Sequence, residues 1–339
     1  MPKKIRFGVL GVARIATTKV IPAMQRSECT EVVAIASRDA EKARSAAESL
    51  AIARSFGSYE DLISDPDVDA IYNPLPNHLH VPWTIQALNA GKHVLCEKPI
   101  ALNVAECRQL IEASQRTGRL VCEAFMVRTH PQWLRARDIV NSGELGDVGA
   151  IIGTFSYFNR DSKNVRNVLG WGGGALYDIG CYPVQTSRFL LNEEPRRVMA
   201  LIERDPEFEV DRLTSGLLDF DSAHSVFTVG TQLARSQGVQ ILGTKARLAI
   251  EIPYNPLSDR PCRVFLDRTS DVTGSGVETI EIPPCDQYTL QGDAFARAIL
   301  ENTPVPTPIE DSLRNTAVLE ALFESARSGC WSKPDQFLA

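Results

Sequence analysis

Short apolar runs separated by longer amphipathic stretches fill the first 124 residues of the chain. The apolar runs predict buried strands at 5–10, 31–36, 69–73, 93–96 and 120–124. The stretches between them predict helices that end near residues 26, 50, 90 and 117. Strands that alternate with helices in this way form a parallel, doubly wound sheet. We therefore predict an α/β domain of the Rossmann type over residues 1–124.

Polar residues and glycines mark the ends of these predicted helices. Asp39 and Asn103 stand where a side chain can accept a hydrogen bond from the first turn of a helix. Gly91 and Gly118 follow the last turns, where glycine is common.

From about residue 148 onward, strand patterns dominate, at 148–158, 197–203, 213–220, 225–232, 239–242, 247–252, 263–267 and 278–282. Helices are predicted at 175–191, 290–300 and 312–327, and the last of these could pack on either domain. Strands with few helices between them form an antiparallel sheet. We predict a second, α+β domain over residues 125–339, built on one large and mostly antiparallel sheet.

Composition narrows the class of protein. The chain has 339 residues, 44% of them hydrophobic and 23% charged, which is typical of a soluble protein with two domains. A net charge of −6 with no block of lysine or arginine argues against nucleic acid as a partner. No apolar run reaches membrane-spanning length. Eight cysteines without a Cys-x-x-Cys pair, and five scattered histidines, predict a cytoplasmic protein without a metal site.

The segment Glu97-Lys98-Pro99 follows the predicted strand at 93–96, so its charges lie at the carboxyl end of that strand. Ligands bind at that edge of an open α/β sheet. A lysine there can be partly desolvated and can move a proton or polarise a hydroxyl. The structural alternative is a surface salt bridge followed by a turn proline.

The turn after the first strand, Gly11-Val12-Ala13-Arg14-Ile15-Ala16, lies where a Gly-x-Gly-x-x-Gly/Ala dinucleotide motif is expected. Gly11 permits the tight turn, and Ala16 is small enough for close packing of helix on strand. Ala13 departs from the motif, because its methyl group narrows the approach of a pyrophosphate. The N-terminus of the following helix still favours a phosphate. A tight turn without a ligand is the alternative.

The end of the second strand predicts which dinucleotide binds. An acidic residue at this place usually binds the ribose 2′-hydroxyl of NAD. Ser37 and Arg38 offer a hydroxyl and a guanidinium instead. Because a planar guanidinium matches a 2′-phosphate, we predict NADP as the cofactor.

A glycine run, 172–174, precedes a predicted helix in the second domain. Consecutive glycines are expected to let the backbone approach a ligand closely. On the helix, Asp178 and Tyr182 are four residues apart and share a face. Together with Lys98 they would form a proton-transfer set, because a nearby ammonium favours the phenolate form of tyrosine. The structural alternative is a solvated Asp178 and a Tyr182 in the core.

These motifs together resemble the glucose–fructose oxidoreductase / inositol dehydrogenase (Gfo/Idh/MocA) family, and the resemblance covers essentially the whole chain. It rests on the turn at 11–16, on Pro74-Leu75-Pro76-Asn77-His78 to His80, on Glu97-Lys98-Pro99, on 123–131 and on 172–182. Many members have a histidine where this chain has Tyr182. The tyrosine is similar to the branch of glucose–fructose oxidoreductase, NADP-dependent xylose dehydrogenase and dihydrodiol dehydrogenase.

The resemblance implies that Lys98, Asp178 and Tyr182 are catalytic and contact the substrate. Trp171 borders the glycine run and could line a sugar face or belong to the core. Motifs and resemblance together place the cofactor against Gly11, Ala13, Arg14, Ile15, Ser37, Arg38, Leu75, Pro76, Asn77, His80, Glu97, Lys98 and Arg128. Two of these have structural alternatives: His80 could pack at the start of a helix, and Arg128 could pair with Glu123.

We interpret the chain as an NADP-dependent oxidoreductase that oxidises an aldose at its anomeric carbon, giving a lactone. Tyr182, assisted by Lys98, would take the proton while Asp178 orients the sugar. The alternatives are a reductase of a keto-sugar or anhydro-sugar, a trans-dihydrodiol dehydrogenase, an oxidoreductase that couples two sugars through a retained cofactor, and an NADP-binding sensor without turnover. The large sheet requires cover, and the family resemblance implies a homodimer or a homotetramer.

Overall fold

The computed structural model describes residues 3–269 and 271–339. These form two compact units. The first unit contains the described residues up to Thr129 together with Asp286–Leu313, and the second contains His130–Cys285 and Arg314–Ala339. None of the helices in the described part of the chain is both long enough and apolar enough to span a membrane.

The first unit has strands alternating with helices, as the pattern predicts. Its elements are β1 (Ile5–Leu10), α1 (Ile21–Gln25), β2 (Thr30–Ala36), α2 (Ala40–Ser49), β3 (Arg54–Phe56), α3 (Tyr59–Ser64), β4 (Ala70–Asn73), α4 (His80–Asn89), β5 (His93–Cys96), α5 (Val104–Thr117) and β6 (Val121–Glu123). The strands pair in parallel in the order β3-β2-β1-β4-β5-β6. The chain order reverses between β1 and β4, which is where such sheets bind ligands. The predicted doubly wound fold is confirmed.

The second unit is built on one large sheet. Its elements up to residue 282 are α6 (Pro131–Asn141), β7 (Val148–Phe158), α7 (Cys181–Leu191), β8 (Arg197–Arg204), β9 (Asp211–Asp219), β10 (His224–Gly230), β11 (Gln232–Gly243), β12 (Arg247–Ile250), β13 (Cys262–Asp267) and β14 (Val277–Ile282). The strand order is β14-β13-β12-β11-β7-β10-β9-β8. Only the β7–β10 pair is parallel among these strands of the described chain. The prediction of a large, mostly antiparallel sheet is confirmed.

The division between the units differs from the predicted one, which placed residues 286–313 in the second domain. Helix α8 (Gln287–Glu301) packs on the first sheet, with the Phe295 ring 6.2 Å from the ring of Phe7. Its Thr289 Oγ1 donates to the carbonyl of Ala23 at 3.0 Å. The apolar face of α8 thus completes the core of the first unit, a long-range contact that no local pattern announces.

Helix α9 (Ile309–Ser328) contributes to both units, and α10 (Asp335–Leu338) follows it. Ile309 and Leu313 pack in the first core. From Arg314 onward the helix belongs to the second unit, where Ser325 Oγ accepts a hydrogen bond from the Ala200 N–H at 3.1 Å.

The helix ends follow the predicted capping residues. Asp39 accepts from the Lys42 N–H at 3.2 Å, and Asn103 accepts from the Glu106 N–H at 2.9 Å. Gly118 ends α5 in the left-handed conformation, with φ +64°. The predicted helix after β1 differs, since it contains a π-helical turn over Ala16–Val20 before α1.

Candidate active site

Gly11 forms a tight turn at the carboxyl end of β1. Its φ is +85°, and a Cβ on it would lie 3.0 Å from Leu75 Cδ2 and 3.5 Å from the hydroxyl of Tyr59. Only glycine fits this backbone conformation without strain. Ala13 and Ile15 are half-buried beyond the turn, whereas Arg14 is exposed. The turn lies at the switch point of the sheet, between β1 and β4, where such sheets bind ligands.

Ser37 and Arg38 follow β2 directly. Ser37 Oγ accepts from the Asp39 N–H at 3.2 Å, which leaves its hydroxyl proton available. Arg38 is exposed and lies near the phenol of Tyr59. Burial raises the pKa of Tyr59, and the charge of Arg38 opposes that rise. An exposed guanidinium at this strand end suits a 2′-phosphate.

The loop after β4 carries Leu75, Pro76 and Asn77 to the start of α4, where His80 is fully buried. The two ring nitrogens of His80 lie 2.8 Å from the Pro99 carbonyl oxygen and 2.7 Å from the Leu75 carbonyl oxygen. Burial lowers the pKa of His80 to about 4, and the two carbonyls oppose this shift. Both nitrogens of His80 face backbone groups, which favours the packing alternative, and a contact of His80 with the cofactor stays a prediction. His80 thereby connects the 75–77 loop to Pro99, the residue after Lys98.

Lys98 follows the end of β5 and is half-buried. Its neighbour Glu97 donates its N–H to the Asn73 carbonyl at 3.0 Å and accepts from the Tyr72 hydroxyl at 2.7 Å. Tyr72 is fully buried, and burial, followed by the charge of Glu97, raises its pKa well above the usual value. Glu97 is anchored to β4, and this fixes the backbone that carries Lys98.

Arg128 has structural partners in the first unit. It lies in the 3₁₀ turn Met126–Arg128, and its Nε donates to the Pro306 carbonyl at 3.2 Å. Its Nη1 lies 3.8 Å from Asp311 Oδ2. Glu123, the predicted ion-pair partner, accepts from the Ile100 N–H at 2.9 Å. Arg128 therefore joins the turn after β6 to the segment at 306–311, and both the cofactor contact and the pair with Glu123 stay predictions.

The glycine run of the second unit packs against the protein itself. A Cβ on Gly173 would lie 2.5 Å from the Arg166 carbonyl oxygen, and Gly174 donates its N–H to the same oxygen at 2.9 Å. Gly174 has φ +113°, and a Cβ there would overlap the carboxylate of Asp211. The glycines were expected to approach a ligand, but Gly173 and Gly174 pack on Arg166 and Asp211 instead. They bring two distant segments against the helix start.

Asp211 holds the start of the helix that carries the predicted catalytic residues. Its Oδ2 accepts from the Leu176 N–H at 2.6 Å and from Thr214 Oγ1 at 3.1 Å. Burial raises the pKa of Asp211 to about 6. The helix begins as a π-helical turn, Leu176–Gly180, and continues as α7. In the described residues π-helical turns occur here and at Ala16–Val20, both at predicted binding sites, where such turns are frequent.

Asp178 lies in this π-helical turn, buried and paired. Its Oδ2 accepts from the Tyr157 hydroxyl at 2.5 Å and lies 2.8 Å from Arg166 Nε. The charge of Asp178 is the main cause that raises the pKa of Arg166. Burial and then Asp178 raise the pKa of Tyr157. Asp178 is therefore a buried hydrogen-bond acceptor, and the alternative of a solvated carboxylate is wrong.

Tyr182 follows in the first turn of α7 and is nearly buried. Its ring packs 5.8 Å from the Phe155 ring and 5.2 Å from the Tyr254 ring. Trp171, next to Gly172, is exposed and has no core role. Lys98 lies in the first unit, and Asp178 and Tyr182 lie in the second.

Sequence reasoning missed Tyr157, Arg166 and Asp211. Tyr157 is the next-to-last residue of β7, and Arg166 and Asp211 lie in a 3₁₀ turn and at the start of β9. Each reaches the helix start from a separate segment. The glycine run was the available signal, because glycines that tolerate no Cβ indicate close neighbours.

Comparisons with known proteins match both units. Residues 5–125 match the oxidoreductase family with an NAD-binding Rossmann fold (GFO_IDH_MocA), and residues 133–249 match the GFO/IDH/MocA C-terminal domain. The chain is 48% identical over 328 residues to the uncharacterized oxidoreductase ORF334 of Rhizobium meliloti, covering 96% of this chain and 98% of that protein. It is 35% identical over 325 residues to a D-xylose 1-dehydrogenase (NADP(+)) of Haloferax volcanii, covering 95% and 98%.

A solved structure matches along nearly the whole chain. It is that of KijD10, a 3-ketoreductase from Actinomadura kijaniata in complex with NADP and TDP-benzene. The TM-score is 0.88 at 30% identity, and the match covers 95% of this chain and 98% of the other.

Proposed function

Because the chain belongs to the GFO/IDH/MocA oxidoreductase family in both of its units, we propose that it oxidises an aldose to the lactone with NADP. At the coarser level it is an NADP-dependent sugar oxidoreductase that acts on CH–OH groups. The observation that carries the proposed site is the buried carboxylate of Asp178 beside Arg166, one helical turn before Tyr182.

The first unit fits NADP. Gly11 forms the tight turn at the switch point of the sheet, and Arg38 is exposed at the end of β2. Ala13, Arg14 and Ile15 would border the pyrophosphate, Ser37 and Arg38 the 2′-phosphate, and the 75–77 loop the remainder. Bound NADP supplies the oxidant that accepts the hydride from the sugar. The alternative of a sensor without turnover is not retained, because the relatives include a D-xylose 1-dehydrogenase and a 3-ketoreductase, which are enzymes.

Tyr182 takes the proton of the reacting hydroxyl in this proposal. A phenol is a poor base at its reference pKa of about 10, and in this proposal a positive charge from Lys98 would favour its ionised form. Glu97 fixes the Lys98 backbone through Tyr72 and Asn73. Asp178, held by Tyr157 and Arg166, accepts a hydrogen bond from a sugar hydroxyl and orients the ring.

Reduction of a keto-sugar is the second candidate for the same site, because KijD10 is a 3-ketoreductase. The residues would serve equally, with Tyr182 returning the proton as a general acid. An aldose with deuterium at its anomeric carbon distinguishes the two. We expect deuterium in the NADPH formed from the labelled aldose. NADPH consumption with a nucleotide-linked 3-keto-sugar, and no reaction with any aldose, would favour the reductase.

A homodimer is part of the proposal. Ile152, Val226 and Leu217 lie side by side across β7, β10 and β9. Ile152 and Val226 are exposed, and on β8 the side chain of Leu201 is also exposed, at 78%. A second copy would bury this apolar face in an isologous contact. Light scattering should give a dimer that dissociates in Val226→Asp, whereas a monomeric unmodified protein contradicts the proposal.

A cytoplasmic location is also part of the proposal. Five of the eight free cysteines are buried, which is consistent with a reducing compartment.

A further inference from the structure

Arg166 is the strongest unassigned group of the second unit. It lies in the segment between β7 and the glycine run, and its Nε pairs with the carboxylate of Asp178 at 2.8 Å. Building on the proposed sugar oxidation, we propose that Arg166 is a specificity-determining residue. It donates a hydrogen bond to the substrate hydroxyl on the carbon next to the reacting carbon.

The backbone holds Arg166 in place independently of its side chain. Its carbonyl oxygen accepts the Gly174 N–H at 2.9 Å, and Gly173 packs so closely on this oxygen that a Cβ would not fit. Asn164 Oδ1 accepts the Arg166 N–H at 3.1 Å. The guanidinium is therefore presented by a rigid segment, as a specificity contact requires.

The guanidinium has donors to spare. An arginine carries five N–H groups, and pairing through Nε with one carboxylate oxygen uses only part of them. The Arg166 side chain is 41% exposed although its partner Asp178 is buried. One end of the guanidinium is thus fixed on Asp178, and the other end reaches solvent where a substrate would lie.

Charge indicates the substrate class. Arg166 and Asp178 neutralise each other, so the pair offers donors and acceptors without a net charge. Such a pair suits a neutral vicinal diol, in which one oxygen accepts from arginine and a neighbouring hydroxyl donates to the carboxylate. Tyr182 follows Asp178 by one helical turn, so the pair and the proposed base lie at the same helix start. A pyranose that reacts at its anomeric carbon would present its 2-hydroxyl to Arg166.

The experiment compares D-glucose and D-xylose with their 2-deoxy analogues in NADP-linked oxidation. The proteins are unmodified chain, Arg166→Gln, Arg166→Lys and the control Arg160→Gln. Arg160 lies in the same segment with 45% exposure, but it pairs with Glu207 at 2.9 Å. NADP binding and the melting temperature of each variant verify folding, and Arg166→Lys retains the charge if Arg166→Gln does not fold.

We expect Arg166→Gln to lower kcat/KM for the parent sugar about 10- to 100-fold, the size of one charge-assisted hydrogen bond. Oxidation of the 2-deoxy analogue should fall much less in Arg166→Gln than oxidation of the parent sugar, so the preference for the 2-hydroxyl disappears. Arg166→Lys should lose most of the preference, because a lysine lacks the planar fork. Arg160→Gln should keep it.

Equal losses for the parent and deoxy sugars would overturn the inference, since they would mean that Arg166 only holds Asp178. An unchanged preference in both Arg166 variants would overturn it as well. If the unmodified protein oxidises no aldose, it is the proposed function that fails, and this result is distinct from both of the others.

Discussion

The candidate residues of the two units are held in different ways. In the first unit, backbone groups fix them: Glu97 donates its N–H to the Asn73 carbonyl, and His80 lies between two carbonyl oxygens. In the second unit, side chains hold one another, since Asp178 depends on Tyr157 and Arg166. A backbone scaffold tolerates the loss of a side chain. In a buried side-chain network, removal of one member leaves a charge without its partner.

The largest effect on stability is expected at Gly174, which joins the network to its scaffold. In Gly174→Ala, the methyl group would overlap the Asp211 carboxylate in a backbone conformation that alanine rarely adopts. We expect a loss of about 3 kcal/mol or more in the free energy of unfolding, measured by urea denaturation. Gly170→Ala is the control, because a Cβ there has no neighbour within 4 Å. Equal stabilities of the two variants would show that the network does not depend on Gly174.

Acid should weaken both units through histidines whose pKa is lowered by burial: His80 and His93 in the first unit and His130 in the second. Burial lowers the pKa of His80 in the first unit, and of His130 in the second, from 6.5 to about 4. The unfolded chain therefore binds protons between pH 6.5 and 4 that the folded chain does not, and stability falls as the pH falls. His80 and His130 each contribute about 3 kcal/mol over that window.

Urea denaturation at several pH values measures this slope. His80→Gln and His130→Gln should each flatten it, and the exposed His224→Gln should not. Because burial also lowers the pKa of His93 to about 4, the decisive variant combines His80→Gln, His93→Gln and His130→Gln. A slope that survives in this triple variant would assign the acid sensitivity to other groups.

The preference for NADP over NAD is a test of the proposed role of Arg38, which is exposed at the end of β2 in the first unit. Arg38→Ala should weaken NADP by about 1.5–3 kcal/mol, the range for a hydrogen bond to a charged group, and should leave NAD nearly unchanged. Fluorescence titration with both cofactors measures this. Arg44→Ala removes an equal charge from α2, where Arg44 pairs with Glu41 and Glu48, and should have no effect. Equal affinity of the unmodified protein for NADP and NAD would be incompatible with the assignment.

The smallest expected effect comes from a comparison of two tyrosines, one that donates to Asp178 in the second unit and one that donates to Glu97 in the first. Tyr157→Phe removes a donor to buried Asp178, and Tyr72→Phe removes a donor to Glu97, which keeps its backbone anchor. We expect kcat/KM for the sugar to fall in Tyr157→Phe by an amount that corresponds to a loss of about 1–2 kcal/mol in transition-state stabilisation. The loss in Tyr72→Phe should be smaller. Steady-state kinetics of both variants provides the comparison, and the reverse order would break the distinction between the units.

The bounds of helices and strands were predicted correctly where a local sequence pattern defines them. β1, β5 and α5 have their predicted bounds, because an apolar run or a cap-to-glycine stretch defines each of them. The three residues of β3 contain one apolar side chain, too few for a pattern, and α3 follows it after a short turn. Helix α6 was also missed, and the strand predicted at 239–242 extends over Gln232–Gly243.

The candidate site divides in the same way. Lys98 and Arg38 could be predicted because strand ends in a parallel sheet meet at one edge. Asp178 and Tyr182 could be predicted from their spacing on a helix. The partner Arg166 could not, because the chain brings it to Asp178 by folding a loop against the glycine run. The packing of α8 on the first sheet is a contact of the same long-range kind.

The central claim is that Lys98 and Tyr182 act as one proton-transfer unit in the oxidation of a sugar with NADP. The most direct test is the aldose oxidation rate of Lys98→Met, Tyr182→Phe and the double variant. Each single change should lower kcat about 10²- to 10⁴-fold, and the double variant should be little worse, with NADP binding retained in all three. Near-normal turnover by Tyr182→Phe, or losses that multiply in the double variant, would contradict the account.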